Sequence, residues 1–128
     1  MDCINYTDAT TGFLNYIFLM SRSQPYRPRI PIHILQIMDV ASRITLFLVD
    51  QRGPLSFTFK DRLDNKYKTS IGPELKCSCS PGKSDHCIHT AYVFLKVFRV
   101  SVDNPIIWQA AYVDSELSDL LAWKHTVA

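Results

Sequence analysis

Three thiols and an imidazole, Cys77, Cys79, Cys87 and His89, fall within one short stretch of the chain. They read Cys-x-Cys, then seven residues from Ser80 to His86, then Cys-x-His. Thiolate sulfur and imidazole nitrogen are the donors zinc takes in tetrahedral structural sites, and four protein donors leave no position for water or substrate. The pattern predicts one structural Zn2+ with Cys77, Cys79, Cys87 and His89 as its metal ligands, and no reaction at the metal. His86 is a competing nitrogen donor. Its neighbour Cys87 already takes one position, and adjacent residues seldom grip one ion comfortably, which favours His89. The alternatives are one disulfide with a spare thiol, or three small buried hydrophobes. A disulfide framework suits a secreted chain with a leader, and none is expected here. Clustered reduced thiols fit an intracellular setting, cytoplasm or nucleus. Cys3 stands alone and is expected to be a free thiol without a role.

The positioning elements follow from pattern. Side chains alternate along a strand, so Cys-x-Cys turns both sulfurs to one side of an extended segment. Pro81-Gly82 marks a turn. Cys87 precedes an apolar run that reads as a helix, whose N-terminus favours thiolate. Residues 55–60 and 66–71 alternate apolar and polar around the turn-forming stretch 61–65, which predicts a hairpin. Residues 75–77 are the short strand that delivers the first ligands. The helix after Cys87 is apolar nearly all round: Ile88, Ala91, Tyr92, Leu95 and Phe98 form a stripe that Val93, Phe94 and Val97 widen. Such a helix is buried on several faces. Ile34, Ile37, Met38, Ala41, Ile44 and Leu48 fall near helical spacing, so a helix is expected over 33–50, ended by Gly53-Pro54. A strand over 44–49 competes with its second half. Asp103 or Asn104 can cap a short helix with Pro105 in its first turn, and Asp114 or Ser115 a final helix through Leu121. Trp108 and Trp123 are expected in the packing. The fold class is therefore α+β, a small ββα zinc module with helices before and after.

The motif Cys-x-Cys-x7-Cys-x-His resembles the SWIM-type zinc finger. The likeness continues through residues 87–100, through Asn104-Pro105-Ile106-Ile107-Trp108-Gln109 and into 114–121, and upstream through 53–59. It covers about residues 37–122 and is similar to the SWIM branch that includes the MEX ubiquitin ligase, which joins SWIM, RING and ZZ zinc modules and is the closer match, and a mitogen-activated protein kinase kinase kinase. The resemblance implies a protein-interaction module in ubiquitin ligation, whose partners are the ubiquitination machinery or a substrate. No cysteine follows His89 in these 128 residues, so the stretch carries no RING and no route of its own to ubiquitin transfer.

At 128 residues with 47% hydrophobic content the chain reads as one domain, in which a metal staple adds much to a modest core. The expected division is an N-terminal extension with a Pro/Arg linker over 1–32, the zinc domain over 33–123 and a tail over 124–128. Residues 11–20 read as a short helix or strand. Residues 21–31, with three prolines and three arginines, read as an extended linker with little to pack. The apolar run from Gly12 to Met20 is about half of what a membrane span needs, so no membrane partner is expected. A net charge of +2 does not suggest nucleic acid. Lys60, Arg62, Lys66, Lys68, Lys76 and Lys83 keep a nucleic-acid-binding alternative open, although Asp61, Asp64, Glu74 and Asp85 interleave with them. A purely structural scaffold is the remaining alternative. No catalytic group, cofactor-binding loop or paired acids stand out. Asp85 reads as a solvated loop carboxylate, with a hydrogen bond to a ligand as the competitor, and His33 as an ordinary surface histidine. Ser78 and Ser80 flank ligands and are placed to donate to thiolates.

Overall fold

The computed structural model describes residues 22–82 and 85–127, with side chains through residue 122. The expectations for Cys3, for residues 11–20, for Lys83 and for the Trp123 side chain lie outside the described residues.

Helix α1, Ile32–Arg43, buries Ile34, Met38 and Ala41, the stripe that its helical spacing marked. It ends earlier than the expected residue 50. Ile44 is already extended, with φ −91° and ψ 164°, and strand β1 follows at Phe47–Gly53. Apolar and β-branched residues from Ile44 to Val49 settle as the competing strand, and Gly53-Pro54 becomes the β1–β2 turn. Strands β2, Ser56–Lys60, and β3, Lys66–Ile71, form the expected hairpin, and β4, Leu75–Cys77, adds to its far side. The sheet is an antiparallel meander in the order β1-β2-β3-β4.

One sheet face carries Phe57, Phe59, Thr69, Ile71 and Leu75, all buried. Helix α2, Ile88–Tyr92, and the π-helical turn Val93–Val97 run on into Phe98 and supply core residues Ala91, Val93, Phe94 and Phe98. Ring contacts tie the layers: Phe57 meets Phe98 edge-on at 6.1 Å, Phe59 meets Tyr92 at 5.6 Å, and Phe94 stacks on Tyr112 at 5.7 Å. Truncating a fully buried aromatic in such a cluster costs about 3–5 kcal/mol. The Tyr92 hydroxyl donates to the Leu46 carbonyl at 3.2 Å, which fixes the approach to β1. At the far end Asn104 Oδ1 accepts from the Ile106 N–H at 3.1 Å and caps the 3-10 helix Pro105–Trp108. Trp108 is buried. Helix α3 spans Asp114–Val127.

Residues 22–31 are extended but not idle. The Arg27 guanidinium makes a two-pronged ion pair with Asp85, at 3.0 and 2.8 Å, and donates to the Trp108 carbonyl at 3.1 Å. The Arg27 carbonyl accepts from Trp108 Nε1 at 3.0 Å and from Gln109 Nε2 at 2.7 Å. Arg22 bridges the Ala111 carbonyl and Glu116, each at 3.0 Å. The segment lacks an apolar stripe; Ile30 packs on the core, and the rest is held by guanidinium and main-chain hydrogen bonds that hydropathy does not weigh.

Candidate metal centre

Strand pairing delivers the first ligand. Thr69 lies opposite Cys77, and the ladder runs one residue further: the Ser78 N–H donates to the Lys68 carbonyl at 3.0 Å, and the Lys68 N–H to Ser78 Oγ at 3.0 Å. Ser78 therefore holds backbone rather than a thiolate. Ser80 lies beside a thiol, with Oγ 3.3 Å from Cys79 Sγ. Gly82 closes the turn at φ 82°, a left-handed conformation that favours glycine. Cys87 is the residue that caps α2; its N–H donates to Thr90 Oγ1 at 2.9 Å. His89 follows within the first turn and is buried.

The four donor atoms all lie within 4.8 Å of one another. His89 Nδ1 faces all three sulfurs, 3.2 Å from Cys79, 3.5 Å from Cys77 and 3.7 Å from Cys87. A tetrahedral ion with metal–sulfur bonds of about 2.3 Å and a metal–nitrogen bond of about 2.0–2.1 Å has a sulfur–nitrogen edge of about 3.6 Å. The observed separations bracket that edge. Among the described residues no other group of three or more His, Cys, Asp or Glu side chains is gathered closely enough to hold a metal. The crowded sulfurs are also polarised. The hydrogen bond between Cys77 and Cys87, with burial added, pushes the Cys77 thiol up; the same bond pulls Cys87 down, against its burial and with help from His89. A metal ion bound there takes the place of the thiol protons.

Supporting groups surround the donors. Thr69 Oγ1 lies 3.4 Å from Cys77 Sγ. The Tyr67 ring stacks on the His89 imidazole, centroids 4.0 Å apart and planes inclined by 22°. The Tyr67 hydroxyl donates to Asp61 Oδ2 at 3.1 Å, and this bond raises the phenol's pKa. Asp61 in turn accepts from the Leu63 and Asn65 N–H groups, which ties the β2–β3 turn to the ring over the ligand. Tyr67 and Asp61 were not among the sequence candidates. The period-two face shared by Tyr67, Thr69 and Ile71 was the available signal.

His86, the competing donor, faces elsewhere. It is buried, with Nδ1 2.9 Å from Thr90 Oγ1 and Nε2 3.3 Å from the Tyr112 hydroxyl. Burial pushes its pKa down to about 4. Asp85 is neither a solvated loop carboxylate nor a partner of a ligand. It receives Arg27, His33 at 3.2 Å and the His86 N–H at 2.7 Å. Burial opposes ionisation, yet these donors pull its pKa down to about 2. Asp64 pairs with Lys60 at 3.3 Å, and Glu74 bridges Ala111 through its backbone, so neither faces a second acid.

No helix among the described residues is long and apolar enough to cross a membrane. No family model matches the sequence, and no solved structure matches it. Curated relatives do. Over 102 residues, 79% of this chain, it is 33% identical to mitogen-activated protein kinase kinase kinase 1 of Rattus norvegicus and of Homo sapiens, covering 7% and 6% of those proteins. Over 93 residues, 70% of this chain, it is 28% identical to E3 ubiquitin-protein ligase Zswim2 of Mus musculus, covering 15% of it. The chain thus spans less than a sixth of the length of each of these relatives. A Cys/His cluster with the spacing of a metal centre therefore sits in a small α+β chain similar to parts of a ubiquitin ligase and of a protein kinase kinase kinase.

Proposed function

We propose that this chain is a SWIM-type zinc finger of the MEX branch, a protein-interaction module that recognises a partner or substrate within a ubiquitin-protein ligase system. The carrying observation is the placement of His89 Nδ1 3.2–3.7 Å from three sulfurs, together with similarity to Zswim2. Cys77, Cys79, Cys87 and His89 hold a single zinc ion. Bound there, zinc supplies a four-way cross-link and no open position for chemistry. Its value is mechanical: it clamps the end of β4, the following turn and the start of α2, three segments that a small core secures weakly. The zinc domain spans about residues 33–123, preceded by an extension over 1–32 and followed by a short tail. Thiolate ligands of this kind persist in the reducing cytoplasm or nucleus.

Recognition without catalysis has a direct test. Purified chain is incubated with activating enzyme, a charged conjugating enzyme and ubiquitin, and in parallel used as bait for ligase components. The expected result is capture of such a component without ubiquitin chain formation. Chain formation by this segment alone, or no capture by the zinc-loaded protein, contradicts the proposal.

A further inference from the structure

We infer that the outer face of the sheet, turned away from the helices, docks an acidic, extended peptide segment. The inference deepens the interaction-module reading and rests on it, naming the surface and the partner's chemistry. Alternation puts Ser56, Thr58 and Lys60 of β2, Lys66, Lys68 and Ser70 of β3, and Lys76 of β4 opposite the buried face. The register sets Lys60 across from Lys66, Thr58 across from Lys68, and Ser70 across from Lys76.

Four lysines thus share one open face, and two of them are direct cross-strand neighbours, an arrangement that repels. Asp64 compensates Lys60 at 3.3 Å. Among the described residues no carboxylate forms an ion pair with Lys66, Lys68 or Lys76. Beside them lies a depression of about 540 Å³, lined by Lys68, Lys76, Ser56, Ser70 and Ser80, with Glu74 as its one carboxylate. Hydroxyls and unpaired ammonium groups are donors suited to carboxylates.

The spacing points to a strand-like ligand. Lys66 and Lys68 are two residues apart on β3, about 7 Å. An extended peptide with acidic residues at alternate positions repeats its carboxylates at the same interval. Lys76 is diagonal to Lys68 and within reach of a third carboxylate. Nucleic acid fits less well. Glu74, in the wall of the depression, and Asp50, in register with Thr58 and paired with Arg52 at 2.7 Å, set carboxylates at the margins of the lysine row. A continuous phosphate chain runs over them, whereas a short peptide avoids them. The face also lacks a row of aromatic rings on which bases stack; Phe47 stands alone at its far edge.

The test is fluorescence anisotropy on the whole zinc-loaded chain, with a labelled peptide of alternating Glu and Ser as probe. The same peptide with Lys for Glu, and a short duplex DNA, are the comparison ligands. Saturable binding of the Glu peptide that weakens steeply with salt is expected. The triple change Lys66→Glu, Lys68→Glu and Lys76→Glu is expected to weaken it by at least about tenfold, as three modest surface ion pairs imply. The Gln triple variant is expected to fall between. Lys96→Glu, in the turn packed on the opposite sheet face, is expected to leave binding unchanged. A triple variant that keeps its zinc and binds like wild type overturns the inference and leaves the module reading standing. Tighter binding of duplex DNA, or no binding of the Glu peptide by the zinc-loaded wild type, overturns it as well. A reduced wild-type chain that takes up no zinc overturns both.

Discussion

At the scale of single residues, the donors differ in how much of the fold leans on them. Cys77 and Cys87 are half-buried free thiols that face each other across the centre, while Cys79 is exposed in the turn. Replacing Cys77 or Cys87 with Ser is expected to abolish zinc uptake and cooperative thermal unfolding together, because metal and fold are coupled. Cys79→Ser is expected to retain weak zinc binding, measurable by competition with a chromophoric chelator. Tyr67 has no donor atom in the centre but covers the His89 ring. Tyr67→Ala is therefore expected to weaken zinc affinity by about 10-fold or more, in line with the loss of an outer partner of a metal ligand. Tyr67→Phe keeps the stack and loses only the bond to Asp61, so it should lie close to wild type in the same competition. That His89 and not His86 stands with the sulfurs agrees with the crowding of His86 by Cys87 in the sequence. What His86 does instead, bridging Thr90 and Tyr112, was not legible: Tyr112 is far along the sequence and nothing in its surroundings announces the pairing.

Elements read unevenly, and the reasons are physical. The β2–β3 hairpin was visible because one face is buried and the other wet, which writes a period of two into the residues. The run from Ile34 to Leu48 contains both a helix and a strand, and apolar residues on each side of the break fall by coincidence near one helical stripe. The π-helical turn left no mark, since an apolar-all-round segment looks the same at any helical pitch. Its ending is testable. Val100 N–H donates to the Phe94 carbonyl at 2.9 Å while Arg99 sits at φ 58°. That left-handed position suits glycine. Arg99→Gly is expected to stabilise the chain by up to about 1 kcal/mol, seen as a higher urea midpoint at unchanged slope.

For the whole molecule, the zinc clamp and the arginine-fastened segment act on the same small core. Arg27 spans Asp85, Trp108 and Gln109. Arg27→Met is expected to cost about 2–4 kcal/mol in thermal or urea unfolding, because it strands the partly buried Asp85 carboxylate and the Trp108 carbonyl, while the main-chain bonds to Gln109 remain. That segment's role escaped the sequence because hydrogen-bonded packing carries no hydrophobic period. Acid tests the clamp itself. Protons compete with metal for the thiolates and His89, so zinc-bound stability is lost as pH falls, and the midpoint should move to lower pH as free zinc is raised. The most direct measurement of all is titration of the reduced chain with cobalt(II), followed by displacement with zinc. One equivalent is expected, with thiolate-to-cobalt charge-transfer bands and the intense visible bands of a tetrahedral ion, both erased by zinc and absent in Cys87→Ser. A folded, reduced wild-type chain that shows neither set of bands contradicts the zinc clamp.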